Sequence, residues 1–111
     1  MKYIEVGAGS WLKNNDGEEF VILGLMDDLS VLACIGAVVI EKYPDNQILE
    51  LKVSNTTVLK NVVEKIGEVG VDEIRKAIFA CKRNYSKMVI PDIIENNEDL
   101  SKLPRIRLEI D

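Results

Sequence analysis

The longest apolar run in this chain covers residues 31–40, where ten consecutive residues carry no charge. Many of them are β-branched, namely Val31, Ile35, Val38, Val39 and Ile40. Side chains of this shape pack well on a pleated surface and lose rotamer freedom in a helix. We therefore predict that the run forms the central strand of a sheet, bent or divided at Gly36.

Shorter extended segments on either side of this run predict a meander of antiparallel strands over residues 1–53. The segments are Tyr3–Val6, a short strand around Trp11–Leu12, Phe20–Leu25 and Ile48–Val53. Asp16–Gly17 is a typical hairpin turn, because both residues tolerate a left-handed backbone. Gly7–Ser10 is interpreted as a second tight turn, since it lacks the lysine and the following helix of a phosphate-binding loop.

The hydrophobic period changes to that of a helix after residue 57. One apolar stripe consists of Val58, Leu59, Val62, Val63 and Ile66, and a second of Val71, Ile74, Ile78, Cys81 and Tyr85. Gly67 stands where a helix C-terminus favours a left-handed residue, and Asp72 and Glu73 suit the first turn of the next helix. These stripes predict a helix hairpin over residues 57–86.

A regular alternation returns in Arg105–Ile110, which predicts a C-terminal strand with Ile106, Leu108 and Ile110 toward the core. We expect this strand to pair inside the sheet or with another subunit, because an unpaired edge invites association. Together the segments predict a single α+β domain over residues 1–111. Its antiparallel sheet would have about five or six strands, with the helix hairpin packed on one face.

Composition limits the partners and the location. The chain has 111 residues and a net charge of −5, which argues against a double-stranded nucleic acid partner. Its N-terminus lacks an apolar leader, and the run at 31–40 is shorter than the roughly 20 residues of a bilayer-spanning helix. We expect a cytoplasmic protein without a membrane partner, whose Cys34 and Cys81 are reduced core thiols.

The absence of histidine removes the commonest general base and metal ligand. It excludes Ser-His and Cys-His nucleophile pairs and any Cys/His zinc cluster. Asp27 and Asp28 form the tightest acidic pair, but aspartate is also a favoured turn residue, and we interpret them as a turn. No catalytic residue, metal site or cofactor is predicted, which favours a protein that is not an enzyme.

The outer face of the second predicted helix carries the candidate binding site. Five basic residues surround Phe79 on the side opposite the core: Arg75, Lys76, Lys82, Arg83 and Lys87. An aromatic ring among cations can stack on a flat anionic ligand or anchor a partner protein. The alternative is that Phe79 is covered by the C-terminal segment or by a second copy of the chain.

The sequence therefore predicts a small non-enzymatic binding or regulatory module that acts through protein–protein contacts as a homo-oligomer. A second hypothesis is a receptor or sequestering protein for a small anionic ligand such as a nucleotide, held by Arg75, Phe79 and Arg83. A third is an enzyme that works through carboxylates such as Asp27 and Asp28.

Overall fold

The computed structural model describes residues 2–25, 33–59, 61–79 and 92–110. The strands are β1 (Lys2–Gly7), β2 (Ser10–Asn14), β3 (Glu19–Leu25), β4 (Ala33–Lys42), β5 (Ile48–Val58), β6 (Val62–Glu68) and β7 (Arg105–Ile110). The helices are α1 (Val71–Phe79) and α2 (Asp92–Glu95), and a 3-10 turn covers Leu100–Lys102. No helix in these ranges has the length and apolarity needed to cross a membrane.

The strands form two antiparallel sheets. The larger has the order β5-β4-β3-β2-β6, and the smaller is a ribbon of β1 and β7. Four consecutive strands, β2 to β5, follow one another across the larger sheet, so the predicted meander is confirmed for them. The first and last strands leave that sheet and pair with each other instead. The described residues are thus mostly sheet with few helices, consistent with an α+β class.

Both faces of the larger sheet are covered, which gives the molecule two cores. The helix-side core consists of Ala8, Trp11, Val21, Leu23, Ala37, Ile48, Leu51, Val69, Val71, Ile74, Ala77, Ile78, Ile94 and Leu100. The ribbon-side core consists of Val6, Leu12, Phe20, Ile22, Cys34, Leu59, Val62, Leu108 and Ile110. Since successive residues of a strand point to opposite faces, β2 and β3 supply side chains to both cores.

The run predicted as the central strand is confirmed as a strand for the part that the structure describes, but β4 is second from the edge of the larger sheet and β3 is the central strand. β4 lies between β3 and β5, and residues 31 and 32 fall outside the described residues. The pairing of β4 with β5 shifts register between Cys34 and Gly36, so the strand is irregular where the glycine predicts a bend.

The helix predicted over residues 58–66 is wrong, and no helix hairpin is formed by the described residues. Residues 62–68 form β6, which pairs antiparallel with β2. The second predicted helix has its counterpart in α1, where Asp72 and Glu73 do occupy the first turn. The remainder of that predicted helix, residues 80–86, lies outside the described residues.

Bulges in β6 account for part of the helix-like spacing, that of Val62 and Ile66, while Val58 of the same apolar stripe belongs to β5. Its register against β2 shifts between Trp11 and Leu12 and again between Lys13 and Asn14. Each extra residue in a bulged strand breaks the period of two. Val62 consequently enters the ribbon-side core while Ile66, four residues later, packs against the helix-side core. A spacing of three and four residues arises here without a helix.

Two glycines hold a left-handed backbone but differ in their surroundings. Gly9 has φ +94° and Gly17 has φ +82°. The N–H of Gly9 donates to the carbonyl of Ile22, and its own carbonyl accepts from the N–H of Val69, both at 2.7 Å. A Cβ at Gly9 would lie 2.7 Å from the carbonyl oxygen of Val69, whereas one at Gly17 would meet nothing within 4 Å.

This difference predicts unequal effects of alanine at the two turns. Both Gly9→Ala and Gly17→Ala should lose about 1–2 kcal/mol of unfolding free energy through left-handed strain. Gly9→Ala should lose more, because its Cβ also pushes apart the backbones of two sheet segments. Urea denaturation of both variants measures the difference, and equal losses would contradict the close approach at Gly9.

Candidate functional site

A cleft with a volume of about 580 Å³ lies beside the end of β6 and the start of α1. Its charged lining residues are Glu5, Lys65, Glu68, Glu98, Asp99 and Arg105. Four acids and two bases give the lining an excess of negative charge. At its rim, hydrogen bonds from the hydroxyl and the backbone N–H of Ser101 lower the pKa of Asp99.

The two cations of this cleft are already paired within the molecule. Arg105 forms ion pairs with both Glu5 and Glu68. Lys65 Nζ lies 2.6 Å from Glu68 Oε1 and donates to the backbone carbonyl of Glu5 at 2.8 Å. Burial by itself lowers the pKa of Arg105, but the hydrogen bonds and charges of Glu68 and Glu5 raise it overall. These contacts join β6 to the ribbon and leave the cleft poorly suited to an anion.

Ser10 connects this charged network to the protein interior. Its side chain is fully buried and accepts a hydrogen bond from the N–H of Gly7 at 3.0 Å. Its Oγ donates to Glu68 Oε1 at 3.2 Å. The hydroxyl has no exposed surface for a substrate, so its role is to fix the turn between β1 and β2 against β6.

Arg75, the first residue of the predicted basic face, contacts the segment around α2. Its Nη2 donates to the carbonyls of Ile94 at 2.6 Å and Glu95 at 2.9 Å. Asp72, one turn earlier, lies 3.7 Å from Nη1. A guanidinium that satisfies the free carbonyls at a helix C-terminus stabilises that end. Arg75 therefore has a positioning role between α1 and α2.

The structure brings together only part of the predicted basic face. Lys76 is exposed on α1, next to Arg75. The side chain of Phe79 and all of Lys82, Arg83 and Lys87 lie outside the described residues. So does the acidic pair Asp27–Asp28. The face around Phe79 stays a prediction.

The outer edge of β7 bears on the expectation that the C-terminal strand pairs inside the sheet or with another subunit. Among the strands that the structure describes, β7 has a neighbour on one side only, since the ribbon consists of β1 and β7. Along it, Arg107 and Glu109 are exposed while Leu108 and Ile110 are buried. The charge along β7 changes from positive at Arg105 and Arg107 to negative at Glu109, with Leu108 between them. The alternation of apolar residues, from which the strand was predicted, does not contain this information.

Comparison with known proteins adds no assignment. No protein-family model matches this chain, and neither the curated proteins nor the solved structures yielded a significant match. Within the described ranges, no three acidic or thiol side chains converge as metal ligands.

Buried Cys34 is not a candidate nucleophile. It belongs to the ribbon-side core, and burial raises the pKa of its thiol to about 11. Since the thiolate is the reactive form, this thiol is protonated at neutral pH. The predicted core position of Cys34 is confirmed, and Cys81 lies outside the described residues.

The buried hydroxyl of Ser10 predicts a measurable loss of stability. Ser10→Ala should lower the unfolding free energy by about 1–3 kcal/mol, because the buried N–H of Gly7 loses its acceptor. Ser101→Ala is the matched control, since its hydroxyl also donates to a carboxylate, Asp99, but at an exposed position. Chemical denaturation should show a much smaller loss for the control, and equal losses would contradict the role of Ser10.

The environment of Cys34 predicts resistance to alkylation. Iodoacetamide at about pH 8 should leave this thiol unmodified in the folded protein, because it is both inaccessible and protonated. The same thiol should react once urea unfolds the chain. Peptide mapping by mass spectrometry gives the readout, and rapid labelling of Cys34 under native conditions would contradict its burial.

Proposed function

We propose that this protein is a small non-enzymatic interaction module of a regulatory kind, which acts through protein contacts and forms homo-oligomers. The position of β7 as an edge strand among the described residues carries the proposal. A strand edge presents a row of unpaired backbone N–H and C=O groups, and such a row is a template for a further strand. A module of this kind needs no catalytic group and no cofactor.

Comparison of the sheet edges favours β7 as the contact. Register shifts interrupt the pairing of β6 with β2 and of β5 with β4, and bulges of this kind blunt an edge. The pairing of β7 with β1 continues over six residues without a shift. A regular strand is the better template for another strand.

The charges of the described residues favour the protein-contact hypothesis over the hypothesis of a small anionic ligand. The two bases of the cleft, Lys65 and Arg105, are ion-paired, and Arg75 donates to backbone carbonyls. The receptor hypothesis consequently rests on Phe79, Arg83 and their neighbours outside the described residues. The carboxylate-enzyme hypothesis rests on Asp27 and Asp28, which also lie outside them.

A cytoplasmic location belongs to the same proposal. Cys34 has no disulfide partner among the described residues, and free thiols are usual where the environment is reducing. The acidic net charge of −5 fits a protein partner better than a nucleic acid.

The proposal predicts reversible self-association. Sedimentation velocity from about 1 μM to about 100 μM should show an oligomer whose population rises with concentration by mass action. Native mass spectra should show whole multiples of 12.5 kDa. A mass above such a multiple would support the receptor hypothesis, and a bare monomer at every concentration would contradict the proposal.

A further inference from the structure

The charge pattern of β7 is complementary to itself when the strand is reversed. In chain order its residues are Arg105, Ile106, Arg107, Leu108, Glu109 and Ile110. On the face opposite the core, Arg105 and Arg107 occupy the first half of the strand and Glu109 the second half; Arg105 is half-buried and already paired with Glu5 and Glu68. In an antiparallel pair of identical strands, the first half of one strand lies opposite the second half of the other.

Symmetry leaves few possible registers for such a pair. Directly opposite residues of the two strands point to the same face. A two-fold axis perpendicular to the sheet must therefore lie midway between one residue and its own copy, and that residue names the register. An axis at Ile106 sets Arg105 against Arg107 twice, and an axis at Arg107 or Glu109 sets that residue against its own copy. An axis at Leu108 sets each Arg107 opposite a Glu109 and each Ile106 opposite an Ile110. This register alone avoids directly opposed like charges.

Arg107 and Glu109 both have exposed side chains, and Arg107 also has neighbours on β1, where it lies opposite Glu5. Glu109 is exposed and forms no ion pair with any residue that the structure describes. Arg107 is exposed and stacks its guanidinium on the Tyr3 ring at 4.5 Å. β1 is less suitable for self-pairing, because Lys2 and Glu5 point to opposite faces and never become neighbours across a two-fold axis.

We propose that β7 pairs antiparallel with β7 of a second copy of this chain, about a two-fold axis through Leu108. This inference rests on the proposed self-association and specifies its surface and register. The two ribbons then become one four-stranded sheet in the order β1-β7-β7-β1. Ile4 lies opposite Leu108 within each chain, so the central row of the new sheet carries four apolar side chains on the core-facing side.

Charge reversal tests the register directly. Arg107→Glu and Glu109→Arg each place like charges opposite one another twice, and each should raise the dimer Kd about tenfold or more. An equimolar mixture of the two variants should form a heterodimer with wild-type affinity, since every opposed pair then has opposite signs. The double variant should form a homodimer again for the same reason. Sedimentation equilibrium measures all four affinities.

Reversal on another edge provides the matched control. Glu50→Lys and Lys52→Glu change the charges of edge strand β5 in the same manner and should leave the dimer Kd unchanged. Thermal unfolding checks that each variant is folded, because Arg107→Glu also removes the contact with Tyr3.

The outcomes separate this inference from the proposed function. If the protein forms an oligomer whose Kd is unchanged by both Arg107→Glu and Glu109→Arg, the β7 register is wrong, but the proposed interaction module is not contradicted. A loss of affinity that the mixture and the double variant fail to restore would also overturn the register. A wild-type monomer at all concentrations would overturn both.

Discussion

Burial of the five-stranded sheet on both faces is the constraint on which the rest of this structure depends. The segment Phe20–Leu23 is apolar at every position and almost completely inaccessible. A strand of this kind needs apolar layers above and below it. One layer is supplied by α1 and α2, and the other by β1 and β7. The two terminal strands are therefore used as a cover, and for that reason they pair with each other and not with the larger sheet.

The charged residues of the cleft beside β6 and α1 attach the ribbon to the larger sheet. Arg105 on β7 contacts Glu68 on β6, and Lys65 on β6 reaches the backbone of β1. Ser10 extends the same network inward from the charged surface. The carboxylates of these ion pairs are exposed, so each pair adds little stability by itself, and the network mainly fixes the position of the ribbon against β6. Side chains that resemble a binding site are thus engaged in holding two layers together.

The sequence predicted the strands better than their arrangement, and the reasons are physical. Alternation and β-branched runs located β1, β3, β4, β5 and β7, because local pattern reports which faces are apolar. The bulges in β6 placed apolar residues at helical intervals. The sequence of that segment does not distinguish a helix from a bulged strand. The hydrophobic pattern of a strand also does not show which core its apolar face enters. The sequence therefore did not predict that β1 and β7 form a separate ribbon. For the candidate site, helical geometry placed Arg75 and Lys76 on α1, but the carbonyls that occupy Arg75 come from a segment about twenty residues away.

The apolar face of β7 is too uniform to fix its own partner register. Ile106, Leu108 and Ile110 are similar in size and spaced by two, so a slip of two residues against an identical strand would keep an aliphatic contact at most positions. The exposed face differs, because such a slip brings Arg107 or Glu109 against its own copy or against another like charge. A two-stranded ribbon is marginal by itself, and a second ribbon would extend its hydrogen bonding. Stability in the proposed dimer thus comes from the backbone edge and the aliphatic face, while the order of charges along β7 selects the register.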